Sequence, residues 1–212
     1  MSAGLKNKVM ILFNGNRIID RGDSLGFKAS PGQGEHLDLT LVCMGGGQAS
    51  FDIDIAHPAT TVRLRGVYLC TGDDRLDITV NMHHLVGESS SDQLFKGIAG
   101  GKAKVRFDGR IVVARDAQKT EAYQTNRNLQ LSDEATVETL PQLEIYADDV
   151  KCSHGATVGR LDEDEQFYMR SRGISLEQAR RLQMISFISP VIEGLPDDAV
   201  EQIIGRLEAM EQ

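Results

Sequence analysis

Leu37-Asp38-Leu39-Thr40-Leu41, Phe51-Asp52-Ile53-Asp54-Ile55 and Leu76-Asp77-Ile78-Thr79-Val80 share one pattern: apolar, Asp, apolar, Thr or Asp, apolar. Successive side chains on a strand point to opposite faces, so each copy reads as a strand with one dry face and one wet face. A fourth element, Thr61-Val62-Arg63-Leu64-Arg65-Gly66, recurs in outline as Lys104-Val105-Arg106-Phe107-Asp108-Gly109. Turn-forming breaks separate the strands: Asn14-Gly15-Asn16, Gly45-Gly46-Gly47, Gly72-Asp73-Asp74, Gly87-Glu88-Ser89-Ser90-Ser91 and Gly100-Gly101. Before residue 160 only Gln93 to Ile98 suggests a helical turn. Short strands without crossover helices leave a sandwich, a barrel or a strand solenoid. The offset of 43 residues between Thr61 and Lys104 fits two solenoid coils of roughly twenty residues each.

Working outward, the period changes near residue 160. Asp162-Glu163-Asp164 reads as a helix start and Gly173 as its stop, enclosing Phe167, Tyr168 and Met169. Ser175-Leu176-Glu177-Gln178 is a capping-box pattern; Leu182, Ile185 and Ile188 follow at helical spacing until Ser189-Pro190 interrupts. A last helix begins at Pro196-Asp197-Asp198 and carries the stripe Val200, Ile203, Ile204, Leu207. Division at 1–160 and 161–212 follows. So short a helical segment builds no core of its own and must pack on the strands or meet a partner.

Composition agrees. Aromatics are 5% of the 212 residues, Trp is absent, and Gly numbers 21, which disfavours a helical bundle and suits turns and small-residue packing. The 23 Lys and Arg stand against 31 Asp and Glu, a net charge of −8, which argues against nucleic acid and membrane surfaces as partners. Met1 to Gly15 holds no long apolar run, so neither a signal peptide nor a membrane span is expected, and the cytosol is the expected compartment. Three cysteines, Cys43, Cys70 and Cys152, form no CxxC and no disulfide framework.

GxxxxGK[ST], GxGxxG, GxSxG and HExxH are all absent from the sequence. Gly45-Gly46-Gly47 reads as a turn. Lys102, Lys104, Arg106 and Arg110 fall on one face of a strand, which reads as a solvated face. His83 and His84 point to opposite faces, so structural or surface roles are expected for them.

The sharpest feature is Val150-Lys151-Cys152-Ser153-His154-Gly155-Ala156-Thr157-Val158. On a strand Cys152 and His154 face the same way, roughly 6–7 Å apart at Cα, with Val150, Ala156 and Val158 on their apolar face. Either they are a buried thiol and a core imidazole, or they are half of a metal or sulfur site completed elsewhere, because two ligands do not close a tetrahedral shell.

The stretch from Gln118 to Ile174 resembles the SufB/SufD family of iron–sulfur cluster assembly scaffolds. The residues that carry the resemblance are Leu143 to Asp162, centred on Cys-Ser-His-Gly-Ala-Thr-Val-Gly-Arg-Leu at 152–161, with Asp116 to Thr120, Asn126 to Ser132 and Gln166 to Ile174. The Cys152/His154 form is similar to the SufD branch. His84, Ser91 and Gln93 to Gly97 extend the match towards residue 60. The resemblance implies a mainly β chain: a right-handed parallel β-helix followed by a small C-terminal helical segment. It implies a scaffold and not an enzyme, pairing through the β-helix with a SufB-like or second SufD-like subunit into a dimer or larger assembly. It also implies a transient iron–sulfur cluster at that interface, with no tightly bound cofactor, His154 and Cys152 being the cluster-site and metal candidates. Docking of the ATPase SufC would fall to the helices, with Phe167, Tyr168, Leu182, Ile185, Val200, Ile203, Ile204 and Leu207 as candidates. Family members run longer, with an N-terminal helical region and more coils, so a short or truncated form is expected, its first coil needing a cap or partner. Two alternatives stand beside this reading. One is a self-associating β-helix without cluster chemistry; the other is a carbohydrate-active β-helix enzyme, for which Asp73-Asp74 and Asp148-Asp149 are the candidate acids.

Overall fold

The computed structural model describes residues 9–210; the expectation for the first residues of the chain lies largely outside them. Among the described residues twelve strands precede three helices. The strands are β1 Val9–Asn14, β2 Arg17–Gly22, β3 Ser24–Ala29, β4 His36–Met44, β5 Gly47–Ile55 and β6 Thr61–Cys70. They continue as β7 Arg75–His84, β8 Ser90–Ala99, β9 Lys104–Val113, β10 Glu121–Gln130, β11 Thr136–Ile145 and β12 Lys151–Gly159. The helices are α1 Glu163–Ser171, α2 Leu176–Ile192 and α3 Asp197–Ala209.

From β4 onward the chain alternates between two sheets, so it winds as a β-solenoid of about four turns. One sheet runs β12-β10-β8-β6-β4-β1-β2 and the other β11-β9-β7-β5-β3. Neighbours from β4 onward are parallel, while β1 is antiparallel to both β2 and β4, so the β1–β2 hairpin lies along one end of the larger sheet. The coil length is read from the register row Thr61, Ser90, Glu121, Lys151. Thr61 and Lys104 begin strands of different sheets, β6 and β9, so their offset spans one and a half coils and not two short ones. Each wall of this solenoid is a strand of nine or ten residues from β4 to β12, which makes the coil longer than expected.

Alternation puts one row of every strand inside. Leu39, Leu41, Phe51, Ile53, Leu64, Ile78, Val80, Phe95, Phe107 and Ile111 fill the lumen with essentially no exposure. Gln93 to Ile98, expected as a helical turn, lies within β8, because its Gln93, Phe95 and Gly97 continue the inward row of β6. The smaller parallel sheet keeps an outward row open to solvent, whereas the larger one is covered on both faces, as is usual for parallel strands. On the larger sheet the outer face is covered by the helices: Ile11, Phe13, Val42, Val67, Leu69 and Ile98 meet Met184, Ile188, Val191, Ile203 and Leu207 in a second core. That is why Gly66 to Cys70 is buried at every position.

The helix boundaries follow their caps. Asp162 accepts from the Glu165 backbone N–H at 2.9 Å, and Ser175 with Gln178 closes a capping box. α2 runs through Pro190 to Ile192, against the expected interruption at Ser189-Pro190. Burial of Ile188, Val191 and Ile192 on the sheet outweighs the missing backbone donor of Pro190. Arg206 of α3 reaches Asp74 at 3.2 Å, fastening the last helix to the loop before β7.

Candidate functional site

β12 is the last strand of its sheet and pairs, among the described residues, only with β10. Its backbone polar groups on the other edge are open to a further strand. In register, Cys152 stands beside Ala122, His154 beside Gln124, Ala156 beside Asn126 and Val158 beside Asn128. These β10 partners all point into the lumen, so Cys152 and His154 belong to the inward row of the terminal coil. Cys152 is half-buried against the inner core, and burial raises its thiol above the ordinary value. His154 is exposed, because no following coil covers the row. Among the described residues His154 is therefore no core imidazole and has no apolar enclosure. A soft thiol and an imidazole two positions apart on an open edge supply two ligands and leave the rest of a coordination shell to whatever covers that edge.

Behind this edge the lumen is polar. Tyr68 donates to Asn128 Oδ1, Asn128 donates to Asn126 Oδ1 at 2.6 Å, and Asn126 donates back to the Tyr68 hydroxyl at 3.0 Å. Burial pushes the Tyr68 phenol up, so it stays a donor. Asn128 also donates to the Thr157 carbonyl at 3.2 Å, tying the network to β12. One row over, Gln124 donates to Gln93 Oε1 at 2.9 Å. Sequence pattern alone does not distinguish these inward Asn and Gln residues from solvent-facing ones; only the register does.

The docking candidates divide. Ile203 and Leu207 are fully buried in the second core, and Ile185, Val200 and Ile204 are partly buried. Phe167 is 71% exposed, Tyr168 59% and Leu182 49%. Leu182 lines a groove of about 440 Å³ with Leu129, Leu161, Met169 and Phe187, between α1, α2 and the end of the solenoid.

The remaining candidates have local explanations. Around the basic strand, Lys102 pairs with Glu134, Arg106 with Asp108 and Arg110 with Glu144, so three of the four cations of this solvated face have acidic neighbours. His83 points out to Asp54 at 2.8 Å, and His84 points in, between Ser89 and Ser91 at 2.9 and 2.8 Å. Burial lowers the His84 imidazole to about 4. Gly45 to Gly47 form the β4–β5 turn, where the Arg75 and Asp23 backbones leave no room for a β-carbon at Gly46 or Gly47. Cys43 and Cys70 are buried inside the solenoid. One cluster escaped notice in the sequence: the ligand atoms of Asp52, Asp54 and His83 lie within 4.8 Å of one another. The alternation Asp52-Ile53-Asp54 signals the pair of acids, but only the β5–β7 register adds His83. Asp52 is held by Lys28 at 3.1 Å, so the cluster reads as part of an ion-pair ladder.

Among the described residues no helix is long and apolar enough to cross a membrane. The family model "SUF system FeS cluster assembly, SufBD core domain" matches residues 28–187. The iron–sulfur cluster assembly protein SufD of Escherichia coli is 41% identical over 149 residues, covering 70% of this chain and 35% of that protein. Protein ABCI7, chloroplastic, of Arabidopsis thaliana is 41% identical over 165 residues, 76% of this chain and 34% of that one. An iron–sulfur cluster assembly SufBD family protein of Synechocystis is 43% identical over 118 residues, 56% and 26% of the two chains. The chain thus spans about a third or less of the length of these curated relatives.

Proposed function

The chain belongs to the SufBD family of iron–sulfur cluster assembly proteins, and from that premise we propose that it acts as a SufD-like scaffold subunit and not as an enzyme. The observation that carries the reading is the placement of His154 beside Cys152 on the inward row of a terminal strand whose outer edge is open. A SufB-like or second SufD-like subunit adds its own strand to β12, and its residues complete a site at which a cluster is held transiently as cargo. The half-buried Cys152 and exposed His154 are this chain's contribution. Cys152 enters as thiolate only when a metal or partner cation offsets the cost of its burial.

The helices serve the second contact. Their buried stripe fastens them to the solenoid, which leaves Phe167, Tyr168 and the Leu182 groove to dock a SufC-type ATPase. Large apolar side chains grouped beside a groove are the kind of surface a partner covers. Movement of that ATPase would reach the β12 edge through α1, which begins four residues after β12 ends. The cytosol, or its equivalent compartment in an organelle, is the proposed location.

Reconstitution tests both claims. His154→Ala, assembled with SufB-like and SufC-like partners, is expected to slow cluster formation by at least tenfold; an unchanged rate overturns the site assignment. Phe167→Ser with Leu182→Ser is expected to abolish co-purification with the ATPase while leaving the pairing through β12 intact. Retention of the ATPase by that variant overturns the docking assignment. Self-association without cluster chemistry predicts dimers of this chain whose His154→Ala variant behaves as wild type in every assay.

A further inference from the structure

The inward row that ends at His154 contains Leu64, Gln93, Gln124 and His154 at successive coils, each in register with the next. Gln93 is 0% exposed and Gln124 2%. The Gln124 Nε2 donates to Gln93 Oε1 at 2.9 Å, which uses one half of each amide. The Gln124 Oε1 is left buried with no hydrogen-bond partner. Such an acceptor needs a donor, because leaving it bare forfeits the hydration it had in the unfolded chain.

Three directions are open to it. Down the stack stands Gln93, which turns its oxygen to Gln124 and leaves its own Nε2 buried without a partner, so it gives Gln124 no donor. Across the lumen the amide lies against Gly109, where a β-carbon would come within 2.5 Å of both its oxygen and its nitrogen. Gly109 therefore makes room for the amide but offers it no side chain. Up the stack, one strand spacing of about 4.8 Å away, stands His154. The His154 side chain forms no hydrogen bond among the described residues. Counted in bonds from Cα, glutamine Oε1 and histidine Nε2 lie at the same depth, so side chains running side by side from paired strands bring these two atoms level.

We propose that Gln124 is a positioning residue for His154: its Oε1 accepts the Nε2–H of the ring, holds one tautomer, and leaves Nδ1 as the free electron pair. Histidines that bind metals usually donate their other ring N–H to an oxygen acceptor, which orients the ring and raises its basicity. The amide chain Gln93–Gln124 would supply that acceptor from inside the solenoid, on rigid strands, and Gly109 would supply its space. The value of the device for cluster chemistry rests on the reading of His154 given above. The hydrogen bond itself is a property of this chain alone.

The test is nitrogen-15 NMR of the imidazole groups in the full chain, at a pH where the ring is neutral, with the His154 signals assigned by their loss in His154→Ala. The wild-type protein is expected to show His154 protonated at Nε2, with a ring N–H that exchanges slowly enough to be observed. In Gln124→Leu that proton is expected to exchange at least tenfold faster, and in Gln124→Glu, which keeps an acceptor at the same depth, to be seen again. If the variants do not fold, the wild-type spectrum decides alone: a ring interchanging tautomers, with no observable Nε2–H, overturns the proposal. A water in place of His154 as donor to Gln124 gives that same negative spectrum. Cluster assembly with partners is the second readout, expected to fall 10–100-fold in Gln124→Leu. The two readings fail separately. A held Nε2–H together with normal assembly by His154→Ala removes the cluster-site reading and keeps the positioning. An unheld ring together with dead His154→Ala does the reverse.

Discussion

The ring of Tyr68 occupies the volume that a β-carbon on Gly97 would fill, and the two residues are direct partners in the β6–β8 register. One position earlier on the same row the relation inverts, with the Phe95 ring lying over Gly66. Large and small residues thus interlock across neighbouring coils, which lets a narrow lumen hold rings at all. Gly97→Ala is accordingly expected to lower stability by about 1–3 kcal/mol through overpacking. Gly155→Ala on β12 has nothing within 4 Å to meet and is expected to stay within about 0.5 kcal/mol of wild type. Urea midpoints of the two variants check the contrast; equal midpoints would refute the interlock.

Tyr68→Phe keeps the ring and removes only the hydroxyl. Asn128 Oδ1 then loses its donor and Asn126 Nδ2 its acceptor, both in the buried lumen. A cost of about 1–3 kcal/mol is expected, from desolvated groups left unpaired. Because Asn128 also holds the Thr157 carbonyl, amide exchange in β12 should quicken more than in β6, where Tyr68 itself resides. Uniform acceleration along the solenoid would argue against that link.

The strands were legible wherever one face is dry and the other wet, as in Phe51 to Ile55. They were illegible in Gln93 to Ile98, where an inward Gln and Gly mimic a polar turn and the outer face lies under α2. Coil length is not legible because Thr61 to Gly66 and Lys104 to Gly109 look alike while lining opposite walls; periodicity does not report which sheet a strand joins. The pairing of Cys152 with His154 followed from strand geometry alone. Their exposure did not, because it depends on what lies beyond β12, and spacing within a strand says nothing of its neighbours. Pro190 reads in the sequence as an interruption, although packing of Val191 and Ile192 on the sheet carries α2 past it.

His84 gives the protein an acid-sensitive element. Its ring is fully buried between Ser89 and Ser91, and burial lowers it to about 4. The unfolded chain, near 6.5, takes the proton first on acidification. The stability held by neutral His84 is therefore complete above about pH 6.5 and is lost as pH falls towards 4. Between pH 7 and pH 5 the loss is expected to be about 2 kcal/mol. His84→Gln, which carries no titrating group, should lose stability less steeply over the same interval than wild type. Parallel stability curves for the two proteins would show that His84 does not titrate on unfolding.

The helices predict two opposite classes of variant. Ile203 has no exposure and contributes to the core that α3 shares with the larger sheet. Ile203→Ala is expected to cost about 2–5 kcal/mol, the range for a large aliphatic side chain removed from a packed site. Phe167 stands 71% exposed on α1, a helix with no buried residue at all. Phe167→Ala is expected to change stability by no more than about 0.5 kcal/mol. Yet if α1 is the docking element, that change should weaken binding of a SufC-type ATPase by 2 kcal/mol or more, as loss of an aromatic anchor does. Thermal unfolding and a binding titration on the same two variants separate the roles. A Phe167→Ala protein that binds normally would move the docking surface off Phe167, to the Leu182 groove or to another face of the chain.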